Sequence, residues 1–414
     1  MHRLEEVAKE EGEECDMVMQ HHGFLITLFC ATMLCGPSML AGCQTSQTEP
    51  YSRQKHQVEP PSVKHVKNAM DATTSRVDTD MAVVLETLQT LNPKPIISLS
   101  VEEARVQPTP ADAVMALLQA RDSKPTRLPI QKTTNKRIQG PGSPLAIQIY
   151  TPHGSGPFPV IVYYHGGGWV IGTIDTYEAS ARALAKATNA IVVAVEYRKA
   201  PEYKFPAAHE DAYTAYQWVL RNADTFEGDP SMVAVVGESA GGNLAAAVCL
   251  MTRARGEVLP VHQALIYPVA GYDFHTPSYQ EHAHAQPLDK PTMKWFFEKY
   301  LKDPRDGTHS WIDLVHAPNL SGLPSATVIT AEIDPLRSEG KQYADRLLEV
   351  GVPVMYRNFE GVTHEFFGMA AVVVDAQRAV RLVAEGLNGS FDDPIFRRDQ
   401  DGSGQAIPIE PLQD

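Results

Sequence analysis

The hydrophobic rhythm of the chain changes several times along its length. Residues 24–34 (FLITLFCATML) form an apolar run that stops at Gly36-Pro37. The run falls short of the ~20 apolar residues that cross a bilayer, and it suits the centre of a secretory signal. Residues 44–80 are polar and show no apolar period, which predicts a flexible tether. Met81 to Leu91 brings apolar residues back at helical spacing, and Asn92-Pro93 ends that helix. Ser100-Val101-Glu102-Glu103 opens a second short helix with a capping-box pattern, and Pro110 to Ala120 predicts a third.

Past Lys124-Pro125 the pattern becomes β-rich. Short strands are predicted at 146–150 (AIQIY), 160–164 (VIVYY), 190–195 (AIVVAV) and 232–236 (MVAVV), and later at 264–267, 326–330 and 354–357. Helical patterns over 178–188 and 209–222 alternate with them. Strands that are apolar almost throughout, alternating with helices, require a largely parallel sheet covered on both faces, an α/β fold. After Asn388 the chain is polar and carries Gly and Pro, so 389–414 is expected to be a tail without an assignable role.

Composition narrows the function. With 414 residues, 43% of them hydrophobic, the chain can bury a large core. The 36 basic and 50 acidic residues give a formal charge of −14 with no Lys/Arg stripe, which argues against nucleic acid as a partner. The cysteines have neither zinc-site nor disulfide-framework spacing. Cys249, inside an apolar run, reads as a small buried hydrophobe.

Directly after the first apolar run stands Leu40-Ala41-Gly42-Cys43, which resembles the lipobox of bacterial lipoproteins. The resemblance implies a diacylglyceryl group on Cys43, cleavage before it, and export to a bacterial cell envelope with the membrane as partner. Cys15, Cys30 and Cys35 would then be lost with the signal segment, 1–42. The residues preceding the run are acidic where signals are basic, which points to a translation start at Met17 or Met19. A plain secretory signal or a buried apolar segment are the other readings.

The chemistry lies in four motifs. Gly237-Glu238-Ser239-Ala240-Gly241 has the form G-x-S-x-G, with a strand before it and a helical run (NLAAAVCLMTRA) after it. In that context the tight turn projects the serine hydroxyl, although a glycine-rich turn of purely structural role shares the same letters. His165-Gly166-Gly167-Gly168-Trp169 follows the strand VIVYY. Such a glycine run lets backbone amides meet a developing oxyanion, and the expected donors are Gly167, Gly168 and Ala240, with Gly166 a further candidate. A phosphate cradle is the competing use. No Lys-Ser pair follows the loop to support it.

Together HGGGW and GESAGGN resemble the hormone-sensitive-lipase-like α/β-hydrolases, a family that includes bacterial carboxylesterases; the likeness runs from about Met81 to Leu387. Glu332-Ile333-Asp334-Pro335-Leu336 and Gly361-Val362-Thr363-His364-Glu365-Phe366 look like its remaining signatures, in the chain order Ser, Asp, His. The resemblance implies Ser239 as nucleophile, His364 as general base and acid, and Asp334 as the carboxylate orienting the imidazole, with Asp313 and Glu332 as rival acids. His165 would shape the oxyanion loop, Glu238 would brace neighbouring loops, and Trp169 would either wall the acyl site or pack. It further implies a hydrolase domain over 81–388 with a helical cap from 81–120 and 271–303, where Trp295, Phe296, Phe297 and Tyr300 could meet an acyl chain. The implied reaction is hydrolysis of short- to medium-chain carboxylic esters through an acyl-enzyme, without cofactor or metal. A true triacylglycerol lipase and a non-catalytic surface lipoprotein are the alternatives, the latter to be signalled by a degenerate triad.

Overall fold

The computed structural model describes residues 76–121 and 127–393. The expected signal segment, Cys43, the tether up to residue 75 and most of the tail lie outside the described residues; of the last five tether residues, Thr79 and Asp80 already belong to the first helix, which starts earlier than the apolar spacing predicts.

Three helices come first: α1 (Thr79–Thr90), α2 (Val101–Val106) and α3 (Pro110–Ala120). Capping fixes two of them locally. Ser100 and Glu103 exchange side-chain-to-backbone hydrogen bonds at the start of α2, and Thr109 and Asp112 do so at α3, where Pro110 takes the first helical position. Then β1 (Lys132–Ile138), β2 (Leu145–Thr151) and β3 (Phe158–Tyr164) lead through α4 (Glu178–Thr188), β4 (Ile191–Glu196) and α5 (Ala207–Asn222) to β5 (Gly228–Glu238). The second half runs α6 (Ala240–Ala254), β6 (Gln263–Ile266), α7 (Pro277–Glu281), α8 (Lys290–Tyr300), β7 (Ala326–Ile333), α9 (Arg337–Glu349), β8 (Val354–Thr363) and α10 (Val374–Phe391).

The strands form one eight-stranded sheet in the order β1-β2-β4-β3-β5-β6-β7-β8. β2 pairs antiparallel with both β1 and β4, and every other pairing is parallel. The side-chain alternation of each strand feeds two cores. Val160, Val162 and Tyr164 of β3 pack on one face with residues of α5, α6 and α9, while Ile161 and Tyr163 pack on the other with α1, α3, α4 and α10. A strand buried on both faces has no polar side, which is why VIVYY and AIVVAV are apolar throughout. Cys249 is a buried free thiol within α6.

Three features depart from the sequence expectation. Strand β1, KTTNKRI, gave no hydrophobic signal because it is the exposed edge of the sheet. Its lysines suit an edge that must not recruit another strand. Helix α9 was equally silent: RSEGKQYADRLLE is polar, and its inward face is built largely by Gly340, Tyr343, Ala344 and Leu347. Finally, α10 continues past 388 to a buried Phe391, so the helix takes in residues expected to belong to the tail.

Candidate active site

Ser239 stands between β5 and α6 with φ 55° and ψ −118°, a left-handed φ that is uncommon for a residue with a side chain. The turn is tight because α6 starts against the end of β3. A Cβ on Gly241 would lie 2.0 Å from the Tyr164 carbonyl oxygen, so only glycine fits there. Asp334 follows β7 and His364 follows β8, so three distant segments converge at the carboxyl edge of the parallel sheet, where open α/β sheets place their ligands.

His364 Nε2 lies 2.9 Å from Ser239 Oγ, and Nδ1 lies 2.6 Å from Asp334 Oδ2. The three are nearly sealed from solvent, at 5% exposure for Ser239, 2% for His364 and 0% for Asp334. Asp334 Oδ1 accepts the Leu336 N–H, which fixes the carboxylate plane. With the Nδ1 proton donated to Asp334, Nε2 is left to accept from the Ser239 hydroxyl. Burial pulls the imidazole pKa down, but the charge and hydrogen bond of Asp334, with Glu365 and Glu238 adding to them, hold it above the ordinary 6.5. The rival acids are elsewhere: Asp313 pairs with His316, and Glu332 accepts from the Gly361 N–H and pairs with Arg76.

The oxyanion loop is held from behind. The Gly166 carbonyl accepts from the Tyr197 hydroxyl, and the Gly167 carbonyl accepts from the N–H groups of Val170 and Ile171. The Ser239 carbonyl accepts from Asn243 and Val269. In a trans peptide the N–H points opposite to the C=O. The amides of Gly167, Gly168 and Ala240 therefore face away from those anchors, and both glycines line the cavity above Ser239. His165 is buried between Tyr197 and Tyr177, with ring centroids at 4.3 and 5.7 Å, and its Nδ1 meets the Gly166 carbonyl. Burial lowers its pKa to about 4, so it stays neutral where the site would operate.

The cavity measures about 970 Å³ and has Ser239 and His364 in its wall. Residues 88–89 and 92–96, with 104–105 and 107–111, border it from the N-terminal helices, and 285–289, Thr292 and Phe296 border it from the segment around α8. Arg105 ties the N-terminal helices to the loops after β3 and β4: its guanidinium donates to the Val170 and Ala200 carbonyls and forms a two-pronged pair with Glu202. Of the aromatic run on α8 only Phe296 reaches the cavity. Trp169 takes the packing alternative. It is fully buried, stacked on Tyr300 at 4.5 Å and tilted against Phe297 at 5.5 Å. Glu238 braces two strands, accepting from the hydroxyls of Tyr163 and Tyr267, and burial with the nearby Glu365 pushes its pKa up to about 7.

A family profile described as alpha/beta hydrolase fold matches residues 161–368. The carboxylesterase NlhH of Mycobacterium tuberculosis is 37% identical over 293 residues, covering 69% of this chain and 92% of the relative. The chain belongs to the α/β-hydrolase fold family. An ethyl acetate hydrolase of Pseudomonas putida is 32% identical over 301 residues, covering 71% of this α/β-hydrolase and 91% of the relative. The solved esterase of Pyrobaculum calidifontis superposes with a TM-score of 0.67 at 37% identity, covering 73% of this chain and 96% of that one.

Several neighbours of the site carried no sequence signal. Tyr177, whose hydroxyl donates to Glu365 at 2.7 Å, and Tyr197 belong to none of the four motifs. Tyr267 stood at the end of a predicted strand, the one cue available. Among the described residues, no group of three or more His, Cys, Asp or Glu side chains is arranged to hold a metal, and no helix is long and apolar enough to cross a membrane.

Proposed function

We propose that this α/β-hydrolase is a carboxylic ester hydrolase with Ser239 as nucleophile, His364 as general base and acid, and Asp334 as the group orienting the imidazole. The observation that carries the reading is the His364 ring, bridging Ser239 Oγ and Asp334 Oδ2 at the floor of the cavity. Ser239 Oγ attacks the ester carbonyl carbon while its proton passes to Nε2. The carbonyl oxygen becomes an oxyanion and takes hydrogen bonds from the amides of Gly167, Gly168 and Ala240. Collapse breaks the bond to the alkoxy oxygen, which leaves as the alcohol with the proton from His364. Water then loses a proton to His364 and attacks the acyl carbon; the bond to Ser239 Oγ breaks, Oγ takes the proton back from His364, and the acid is released. Every proton is handled by His364, so the cycle closes without a cofactor.

The substrates are short- to medium-chain esters, a reading supported by the names of the relatives, a carboxylesterase and an ethyl acetate hydrolase. HGGGW and GESAGGN support membership of the hormone-sensitive-lipase-like branch. A fluorophosphonate probe should label Ser239 in the folded chain. Ser239→Ala should lose both the label and turnover, the latter on the order of 10⁴- to 10⁶-fold. Turnover near the wild-type rate in that variant would remove Ser239 from the mechanism. A p-nitrophenyl ester series should fall steeply beyond octanoate; rising activity on longer chains and emulsified triacylglycerol would make the enzyme a lipase.

We also propose export and lipid attachment at Cys43, on the strength of FLITLFCATML followed by LAGC. The intact mass of the mature N-terminus checks this. An unmodified chain that retains residues before Cys43 would refute it.

A further inference from the structure

Packed against the imidazole of His364, and outside the cavity lining, stands Tyr267. It follows β6 and has φ 35°, a strained backbone for an aromatic residue. The strain is held in place from two sides: the Tyr267 N–H donates to the Ile329 carbonyl at 2.7 Å, and the hydroxyl donates to Glu238. Its ring faces His364 at a centroid distance of 4.5 Å and an interplanar angle of 51°. Glu238 is the residue before Ser239 and is itself held by the Tyr163 hydroxyl.

These contacts form a closed circuit. The peptide bond joins Ser239 to Glu238, a hydrogen bond joins Glu238 to Tyr267, ring packing joins Tyr267 to His364, and a hydrogen bond joins His364 back to Ser239. Asp334 fixes one edge of the imidazole, but tipping about the Nδ1–Oδ2 line would keep that bond while breaking the one to Ser239 Oγ. The Tyr267 ring blocks that tipping on one face. We propose that Tyr267 is a positioning residue that holds the His364 imidazole toward Ser239, with Glu238 clamping the tyrosine from the nucleophile's own turn. The proposal rests on the triad reading above. Tyr267 does not line the cavity, so it acts through His364 and leaves substrate binding alone.

The clamp also couples electrostatically. The charged groups acting on His364 are Asp334, Glu365 and Glu238, each raising its pKa when ionised. The Tyr267 hydroxyl is one of the donors favouring ionised Glu238. Removing it makes Glu238 more fully protonated, weakens its hold on the imidazolium, and moves the acid limb of kcat/KM to lower pH.

The experiment compares wild type, Tyr267→Leu, Tyr267→Ala and Tyr267→Phe, with folded active sites counted by phosphonate titration. Stoichiometric titration of wild type at Ser239 tests the triad reading separately, so failure of the clamp and failure of the triad are distinguishable. Tyr267→Leu and Tyr267→Ala should lower kcat per titrated site by about 10²-fold with KM within about twofold, the scale of a small misplacement of a reacting group. Tyr267→Phe, which restores the ring, should recover about tenfold of that loss while its acid limb stays displaced to lower pH. If either small variant folds with kcat per site within about threefold of wild type, positioning is overturned. If Tyr267→Phe has the wild-type pH profile, the Glu238 coupling is overturned, even where the smaller variants do not fold.

Discussion

The ring of Phe296 rests directly on the backbone of Gly168: a Cβ at that glycine would sit 2.2 Å from the ring carbon Cγ. Gly168 has φ 58° and borders the cavity, so one side chain of α8 sets how the proposed oxyanion loop can lie. Gly168→Ala has two faults, a left-handed φ and a collision. It should lower kcat on the order of 10²- to 10³-fold, the scale of a lost oxyanion donor. Adding Phe296→Ala removes only the collision, so the double variant should recover part of that loss. Equal kcat in the two Gly168 variants would show that the ring does not govern the loop.

Phe296→Ala alone widens the cavity beside Ser239. The ratio of activity on octanoate to that on butyrate should rise, by about tenfold if two methylene groups gain burial. The p-nitrophenyl ester series reads this ratio directly. An unchanged ratio would place the acyl chain elsewhere in the cavity.

Activity needs neutral His364, whose pKa is held above 6.5 by Asp334 despite burial. A raised pKa keeps the proton to higher pH, so the acid limb of kcat/KM should have its midpoint above 6.5. Asp334→Asn removes the charge and should move any residual limb downward, with kcat lower on the order of 10⁴-fold. A wild-type midpoint below 6 would contradict the geometry.

His262 offers a stability readout away from the chemistry. It is buried between Thr327 and Ser325, and burial lowers its pKa from 6.5 to about 4. Below pH 6.5 the unfolded chain binds a proton that the folded chain refuses, so this histidine costs stability as pH falls from 6.5 toward 4. The penalty of His262→Gln relative to wild type should therefore shrink across that window, on the order of 2–3 kcal/mol. Paired denaturant titrations at pH 7 and pH 4.5 measure it, and a constant difference would mean the folded protein accepts the proton.

Arg105 fastens α2 to the oxyanion loop through the Val170 carbonyl and to the following loop through Ala200 and Glu202. Arg105→Lys cannot reproduce that fork. KM should rise by about three- to tenfold with a smaller change in kcat, measured with a short-chain ester. An unaltered KM would show that the helices stay docked without it.

The sequence by itself determined most of the sheet and the local turns. Strands buried on both faces must be apolar throughout, and a nucleophile elbow must have glycine where α6 meets β3, so both leave marks in the letters. Capping at Ser100 is local for the same reason, and it was legible; the matching box at Thr109 and Asp112 is equally local but was not read from the letters. The edge strand β1 and helix α9 left little trace, because solvent accepts almost any polar residue on their exposed sides. What only tertiary structure decided is contact between residues far apart in the chain. The choice of Asp334 over Asp313 and Glu332 had rested on family likeness, whereas the fold places one carboxylate on His364 and commits the other two to His316 and to Gly361 with Arg76. The burial of Trp169 against Tyr300, the single reach of Phe296 into the cavity, and the clamp of Tyr267 on Glu238 depend on where separate elements come to rest. Local sequence encodes backbone conformation and which side faces water; it does not encode which distant side chain arrives there, because that is set by the packing of the whole sheet and its helices.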